Sequence, residues 1–269
     1  MDRPLGACTW TYGPRPLIEI AGSLARLGFD GVELHGDLDS FRSGEVGPLL
    51  SDQGLRVFSL PPANVDIAHP DPAVREQAVD YYRRLVDFAA ALDGPLVSVH
   101  GQVGRITPVA TMAEEKGHLE ASMVAIVSHA RGTGVALVFE VLNRYESHLI
   151  NTGREALDLV DTVGAANLRV LLDAYHMNIE EAHPAEAIRQ VGQKLGLFHV
   201  ADSNREGIGH GHMDFAGLAQ ALDDVGYTGP GIVECTPPGP NPFTPVKRDN
   251  DLEVLEGFLA ASRAWLAAA

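Results

Sequence analysis

The stretch Val135–Asn151 reads VALVFEVLNRYESHLIN. Its opening, Val135-Ala136-Leu137-Val138-Phe139, is an unbroken apolar run of strand length, rich in β-branched and aromatic side chains. Such a run reads as a strand buried on both faces, as in a parallel sheet covered by helices. It stops on a carboxylate, Glu140, and a polar segment follows, Asn143-Arg144-Tyr145-Glu146. The end of a buried parallel strand is where α/β enzymes hold their chemistry. Taken alone, Glu140 reads equally well as the first residue of a loop.

The pattern recurs, and the recurrence decides between these readings. Leu168–Leu172 runs into Asp173, with His176 shortly after; Leu195–Phe198 runs into His199, followed by Asp202 and Arg205; Gly231–Val233 runs into Glu234. Four apolar strands thus end in Glu, Asp, His and Glu. Hard oxygen donors with one imidazole suit Mn²⁺, Mg²⁺ or Co²⁺ better than a thiolate-loving ion.

Working outward, the same alternation fills the chain. Strands are expected at Leu5–Trp10, Gly31–Leu34, Arg56–Leu60 and Leu96–Val99, the last ending at His100. Helices are expected between them, one of them opened by Asp71-Pro72 as N-cap and first-turn proline. Others cover Met112–Ala130, Gly153–Val163, Pro184–Val191, Phe215–Val225 and Leu252–Ala268. Eight strand-then-helix units in 269 residues predict a single (β/α)8 TIM barrel spanning residues 1–269. A doubly wound open sheet would carry a glycine-rich phosphate loop after the first strand; Thr11-Tyr12-Gly13-Pro14 is not one. In a barrel the strand ends converge on one mouth.

Composition narrows the function. A net charge of −16 argues against a nucleic-acid partner, which wants a basic footprint. No apolar run approaches the roughly 18 residues of a membrane span, and the N-terminus lacks the pattern of a signal peptide. A cytoplasmic location is expected. Cys8 and Cys235 are expected to be a reduced, buried pair.

The segments Glu140–Glu146, Asp173–His176 and His199–Arg205, with Glu234 closing the last strand, resemble the xylose-isomerase-like barrel superfamily. Within it they are most similar to the D-tagatose/D-psicose (allulose) 3-epimerases. The resemblance begins at Gly28–Leu34 and is densest from Glu140 to Glu234. It implies a divalent metal, Mn²⁺ before Mg²⁺ or Co²⁺, on Glu140, Asp173, His199 and Glu234. It implies sugar contacts from Glu146, His176 and Arg205, and proton transfer at C3 of a ketose by Glu140 and Glu234 through a cis-enediolate. His100 is expected to touch the substrate and Glu33 to brace the site. A small-molecule sugar is the expected partner, with a dimer or tetramer as the expected assembly.

Two departures from the pattern concern the cavity wall. Gly101 stands where an aromatic is usual, and Thr236–Pro242 supplies prolines where another aromatic contact is usual. Trp10 and Tyr12 are expected to supply apolar wall instead, and the prolines a stiff rim. His35, His69, His118, His129, His148 and His183 read as surface or structural residues, and His210 and His212 as loop residues near the mouth. The nearest rival is an aldose–ketose or keto-inositol isomerase of the same superfamily. More distant are elimination from a 3-keto-glycoside, an abasic-site endonuclease and a non-catalytic sugar-binding barrel.

Overall fold

A short parallel strand buried on both faces is stable only when its neighbours and a covering helix hide it, and the chain meets that requirement eight times over. The computed structural model describes residues 3–239, 241, 243 and 248–268. The strands are β1 (Leu5–Cys8), β2 (Gly31–Glu33), β3 (Arg56–Leu60), β4 (Leu96–Val99), β5 (Leu137–Glu140), β6 (Leu168–Asp173), β7 (Leu195–Val200) and β8 (Gly231–Val233). All neighbouring pairs are parallel, and β8 closes on β1 with Leu5 opposite Gly231. The expected eight-stranded barrel is therefore observed.

Helices α1 (Leu17–Leu27), α2 (Ser43–Asp52), α3 (Pro72–Ala90), α4 (Met112–Ala130), α5 (Gly153–Val163), α6 (Ala174–Glu180), α7 (Pro184–Val191), α8 (Phe215–Asp224) and α9 (Asp249–Ala268) surround it. Local chemistry sets their ends. The Asp71 carboxylate accepts from Ala73 N–H at the start of α3, and Thr111 and Thr152 form capping boxes with Glu114 and Glu155 on α4 and α5. Helix α6 was not expected. It springs directly from β6 because Asp173 Oδ1 accepts the Tyr175 N–H at 2.7 Å and so caps it. The first strand also ends sooner than expected, since Trp10–Tyr12 turn into a 3₁₀ helix.

The apolar side chains form two layers. The larger one fills the space between barrel and helices, and a smaller one fills the barrel itself: Cys8, Val138, Leu171, Leu197 and Ile232, with Phe58, Trp10 and Leu96 against it. Gly31 makes room for this filling, since a Cβ there would sit 2.4 Å from the Arg56 carbonyl oxygen and 2.6 Å from Phe58 Cε2. The inner layer also aims the site. Side chains on a strand alternate faces, so the residue two positions beyond an inward one points inward as well. Val138, Leu171, Leu197 and Ile232 are followed at that spacing by Glu140, Asp173, His199 and Glu234. After β1, Trp10 opens the 3₁₀ helix and packs against the same inner layer as Cys8. Cys8 and Cys235 are both buried free thiols.

Candidate active site and metal centre

One donor atom from each of Glu140, Asp173, His199 and Glu234 falls in a group whose members all lie within 4.8 Å of one another. His199 Nδ1 is their centre, 3.7 Å from Glu140 Oε1, 3.8 Å from Asp173 Oδ2 and 3.3 Å from Glu234 Oε2. All four residues are buried. Asp173 Oδ2 and His199 Nδ1 have no hydrogen-bond partner. Orphaned buried polar atoms are costly, and three carboxylates gathered out of water repel one another. A divalent cation relieves both costs, and hard oxygen donors with one imidazole are a donor set that fits it.

The electrostatics carry the same strain. Burial and the surrounding carboxylates, against the pull of His199, hold Glu140 well above the usual carboxylate range. Burial, with Glu234 beside it, pushes Asp173 up to about 7. Burial would raise Glu234 too, but the Arg205 guanidinium and His199 outweigh it and hold it well below.

Above the cluster lies a cavity of about 530 Å³ lined by Glu140, Glu146, His176, Arg205, Glu234 and His100, among others. The four expected metal ligands are therefore in the buried cluster, and the expected sugar contacts Glu146, His176, Arg205 and His100 are on the cavity wall. Arg205 spans the floor: Nη2 lies 3.3 Å from Glu234 Oε2, and Nη1 lies 3.3 Å from Glu146 Oε1. Its guanidinium carbon lies 4.8 Å from the centre of the Tyr175 ring, close enough for a cation–π contact. The backbone reaches this placement through a left-handed conformation, φ 64°, unusual for a residue with a side chain. Asp202 holds the turn. Its carbonyl accepts from Arg205 N, and its carboxylate accepts from the N–H groups of Ser203, Gly209 and Met213.

His176 Nδ1 accepts the backbone N–H of Asn143 at 3.1 Å. That nitrogen is therefore unprotonated, and the ring's one N–H is at Nε2, 3.9 Å from Asp173 Oδ2. Burial and the nearby Arg205 keep this imidazole neutral, its pKa well below the ordinary value. His100 has the opposite tautomer: Nδ1 donates to the Gly101 carbonyl, which leaves Nε2 as an acceptor. Glu33 touches His199 from below, 3.1 Å from Nε2.

Several placements differ from expectation. Trp10 does line the cavity, but it also donates Nε1–H to Glu234 Oε1 at 2.8 Å. Tyr12 is no wall residue; it is buried, with its hydroxyl 3.2 Å from Ser23 Oγ. The aromatic surface comes instead from Tyr145 and from Phe243, which stacks on Trp10 at 5.9 Å. At Gly101 a Cβ would meet Leu149 Cδ1 at 2.5 Å, so buried Leu149 fills the space beside it and leaves no room for an aromatic side chain in this arrangement. Of the proline rim, Pro240 and Pro242 lie outside the described residues. His35 lines the cavity rather than the surface. His148 is buried against Glu115, 2.8 Å away. His210 and His212 lie away from the cavity, against Phe258 and Ser203.

Comparison with known proteins agrees with this geometry. The model of the xylose isomerase-like TIM barrel family matches residues 22–256. The chain is 34% identical over 222 residues to a D-psicose 3-epimerase of Ruminiclostridium cellulolyticum, covering 78% of this chain and 75% of that protein. It is 33% identical over 217 residues to an L-ribulose 3-epimerase of Methylomonas sp., covering 78% and 75%. A crystal structure of the D-psicose 3-epimerase of Clostridium cellulolyticum H10 with D-tagatose superposes with a TM-score of 0.87 at 27% identity, over 97% of each chain. The chain belongs to the xylose isomerase-like TIM barrel family, among the relatives of the ketose 3-epimerases.

Proposed function

We propose that this protein is a ketose 3-epimerase of the isomerase class, with Glu140 and Glu234 as the proton-transferring pair. One observation carries the reading: two carboxylates at the ends of the non-adjacent strands β5 and β8 approach one histidine nitrogen, at 3.7 and 3.3 Å, on the floor of a cavity. The kinship to proteins named as D-psicose and L-ribulose 3-epimerases supports it.

Epimerisation at C3 removes the proton alpha to the C2 carbonyl and returns one on the opposite face. A divalent cation held by Glu140, Asp173, His199 and Glu234, Mn²⁺ by our reading, supplies the Lewis acidity that acidifies that proton. The chain's own residues do the rest. Glu140 and Glu234 each serve one face of C3, and the configuration of the substrate decides which is base and which is acid. The Nε2–H of His176 donates to a substrate oxygen, a role fixed by the Asn143 N–H on its other nitrogen. Arg205 presents N–H groups to the sugar hydroxyls, and Glu146 accepts from one of them. His100 Nε2 accepts from another. Trp10, Phe243, Leu142 and Tyr145 cover the reacting carbons and keep water from them.

The test is turnover of D-psicose, L-ribulose and other ketoses by the Mn²⁺-loaded protein in D₂O, followed by NMR of the products. A C3 epimer with deuterium at C3 is expected. An aldose labelled at C2, or a ketose labelled at C1, would instead make the protein an aldose–ketose isomerase.

A further inference from the structure

The four clustered donors all come from the β5–β8 half of the barrel, and one side chain of the other half stands behind their histidine. Glu33, the last residue of β2, is fully buried, at 0% exposure. Three groups close on its carboxylate. Ser59 Oγ donates to Oε2 at 2.6 Å from β3, Cys8 Sγ donates to Oε1 at 3.1 Å from β1, and His199 Nε2 lies 3.1 Å from Oε2. A carboxylate accepting from a hydroxyl and a thiol has only acceptor capacity left for the imidazole. The His199 nitrogen facing it therefore carries the hydrogen. The other nitrogen, Nδ1, is the one that faces Glu140, Asp173 and Glu234.

We infer that Glu33 is a positioning residue for the metal centre: it fixes the orientation and tautomer of His199 so that Nδ1 offers its lone pair to the cation. The inference rests on reading the four-residue cluster as a metal site. Glu33 works through His199, because its contact is to Nε2, across the ring from the clustered oxygens. Ser59 and Cys8 hold its carboxylate from two neighbouring strands, so it cannot turn aside without leaving both. A carboxylate behind a ligating histidine sets the ring's direction and raises its basicity, and losing such a partner typically weakens metal binding roughly 10–100-fold.

The experiment is calorimetric titration of Mn²⁺ into the metal-free forms of wild type, Glu33→Ala, Glu33→Gln and His199→Ala, with circular dichroism to confirm folding. Glu33→Ala is expected to bind roughly 10–100-fold more weakly. Glu33→Gln, which can still accept from Nε2–H but lacks the charge, should fall between. A purely structural Glu33 would lower the melting temperature of the metal-free protein and leave the affinity of the folded variants unchanged, and that result overturns the inference. If Glu33→Ala does not fold, long-range ¹H–¹⁵N correlation on Mg²⁺-loaded wild type decides. A His199 proton on Nε2 is expected, and one on Nδ1 overturns the inference. The reading of the metal centre fails separately. In that case wild type itself takes up no Mn²⁺, or His199→Ala matches it, and the inference about Glu33 falls with it.

Discussion

Arg205 Nη2 lies 3.3 Å from Glu234 Oε2, in a place where both side chains are almost wholly withdrawn from water. The contact keeps Glu234 ionised among other carboxylates, and it sets the guanidinium at the junction of the buried cluster and the open cavity. Truncating one member of a buried, hydrogen-bonded charge pair costs about 2–5 kcal/mol. Arg205→Ala should therefore lower kcat/KM roughly 10²–10³-fold, while metal content, measured by elemental analysis, stays at the wild-type level. Loss of the metal in this variant would mean that Arg205 supports the cluster rather than the substrate.

Replacing Glu140 or Glu234 by Gln keeps the shape and removes the proton acceptor. Each change should slow epimerisation roughly 10²–10⁴-fold. A variant that retains metal should still exchange the C3 proton of one epimer with D₂O without converting it, because the remaining carboxylate reaches its own face. Near wild-type interconversion of both epimers would rule out opposed carboxylates.

Trp10 offers a separable test, since its ring forms wall and its Nε1–H serves Glu234 at 2.8 Å. Trp10→Phe keeps an aromatic ring and removes the donor. A hydrogen bond to a charged group contributes about 1.5–3 kcal/mol, so kcat/KM should fall roughly 10–100-fold. An unchanged value in steady-state kinetics would reduce Trp10 to wall alone.

Metal binding should register as stability. A ligand at a hundred times its Kd adds about 2.7 kcal/mol, which for a chain of this size raises the melting temperature by roughly 5–10 °C. Scanning calorimetry with Mn²⁺ and with a chelator should give that difference, and His199→Ala should abolish it.

The loops that form the cavity wall are tied together by a second buried group of charges. Glu115 of α4 accepts from Val109 N–H, Ala110 N–H, the Arg105 guanidinium and His148, while Arg105 also pairs with Asp66 at 2.8 Å. Burial would raise the Glu115 carboxyl, but these donors outweigh it and hold it at about 2. A carboxylate depressed on folding stabilises the protein above its unfolded value of about 4.3. That contribution is lost as pH falls from there toward the folded value. Glu115→Gln should cost roughly 3–5 kcal/mol at neutral pH. The gap between variant and wild type in urea melts should narrow between about pH 5 and 2. A gap constant across that range would count against the ionic account.

The sequence by itself determined the barrel and its ligand candidates, because both follow from short-range rules. Apolar runs such as Leu168–Leu172 mark strands buried on both faces, and strand alternation makes Glu140, Asp173, His199 and Glu234 point the same way as the barrel filling. Asp71 and Pro72 announce the start of α3 in the same local manner. Only the tertiary structure decided what those residues touch. Closure of β8 onto β1 brings Trp10 to Glu234, and barrel curvature brings Glu33 under His199; no spacing along the chain encodes either contact. The division of Asp173, with Oδ1 capping α6 and Oδ2 left for the site, is likewise invisible in the letters. Loops follow backbone geometry rather than periodicity. Arg205 is aimed by a left-handed turn held on Asp202, and Leu149 fills the space beside Gly101.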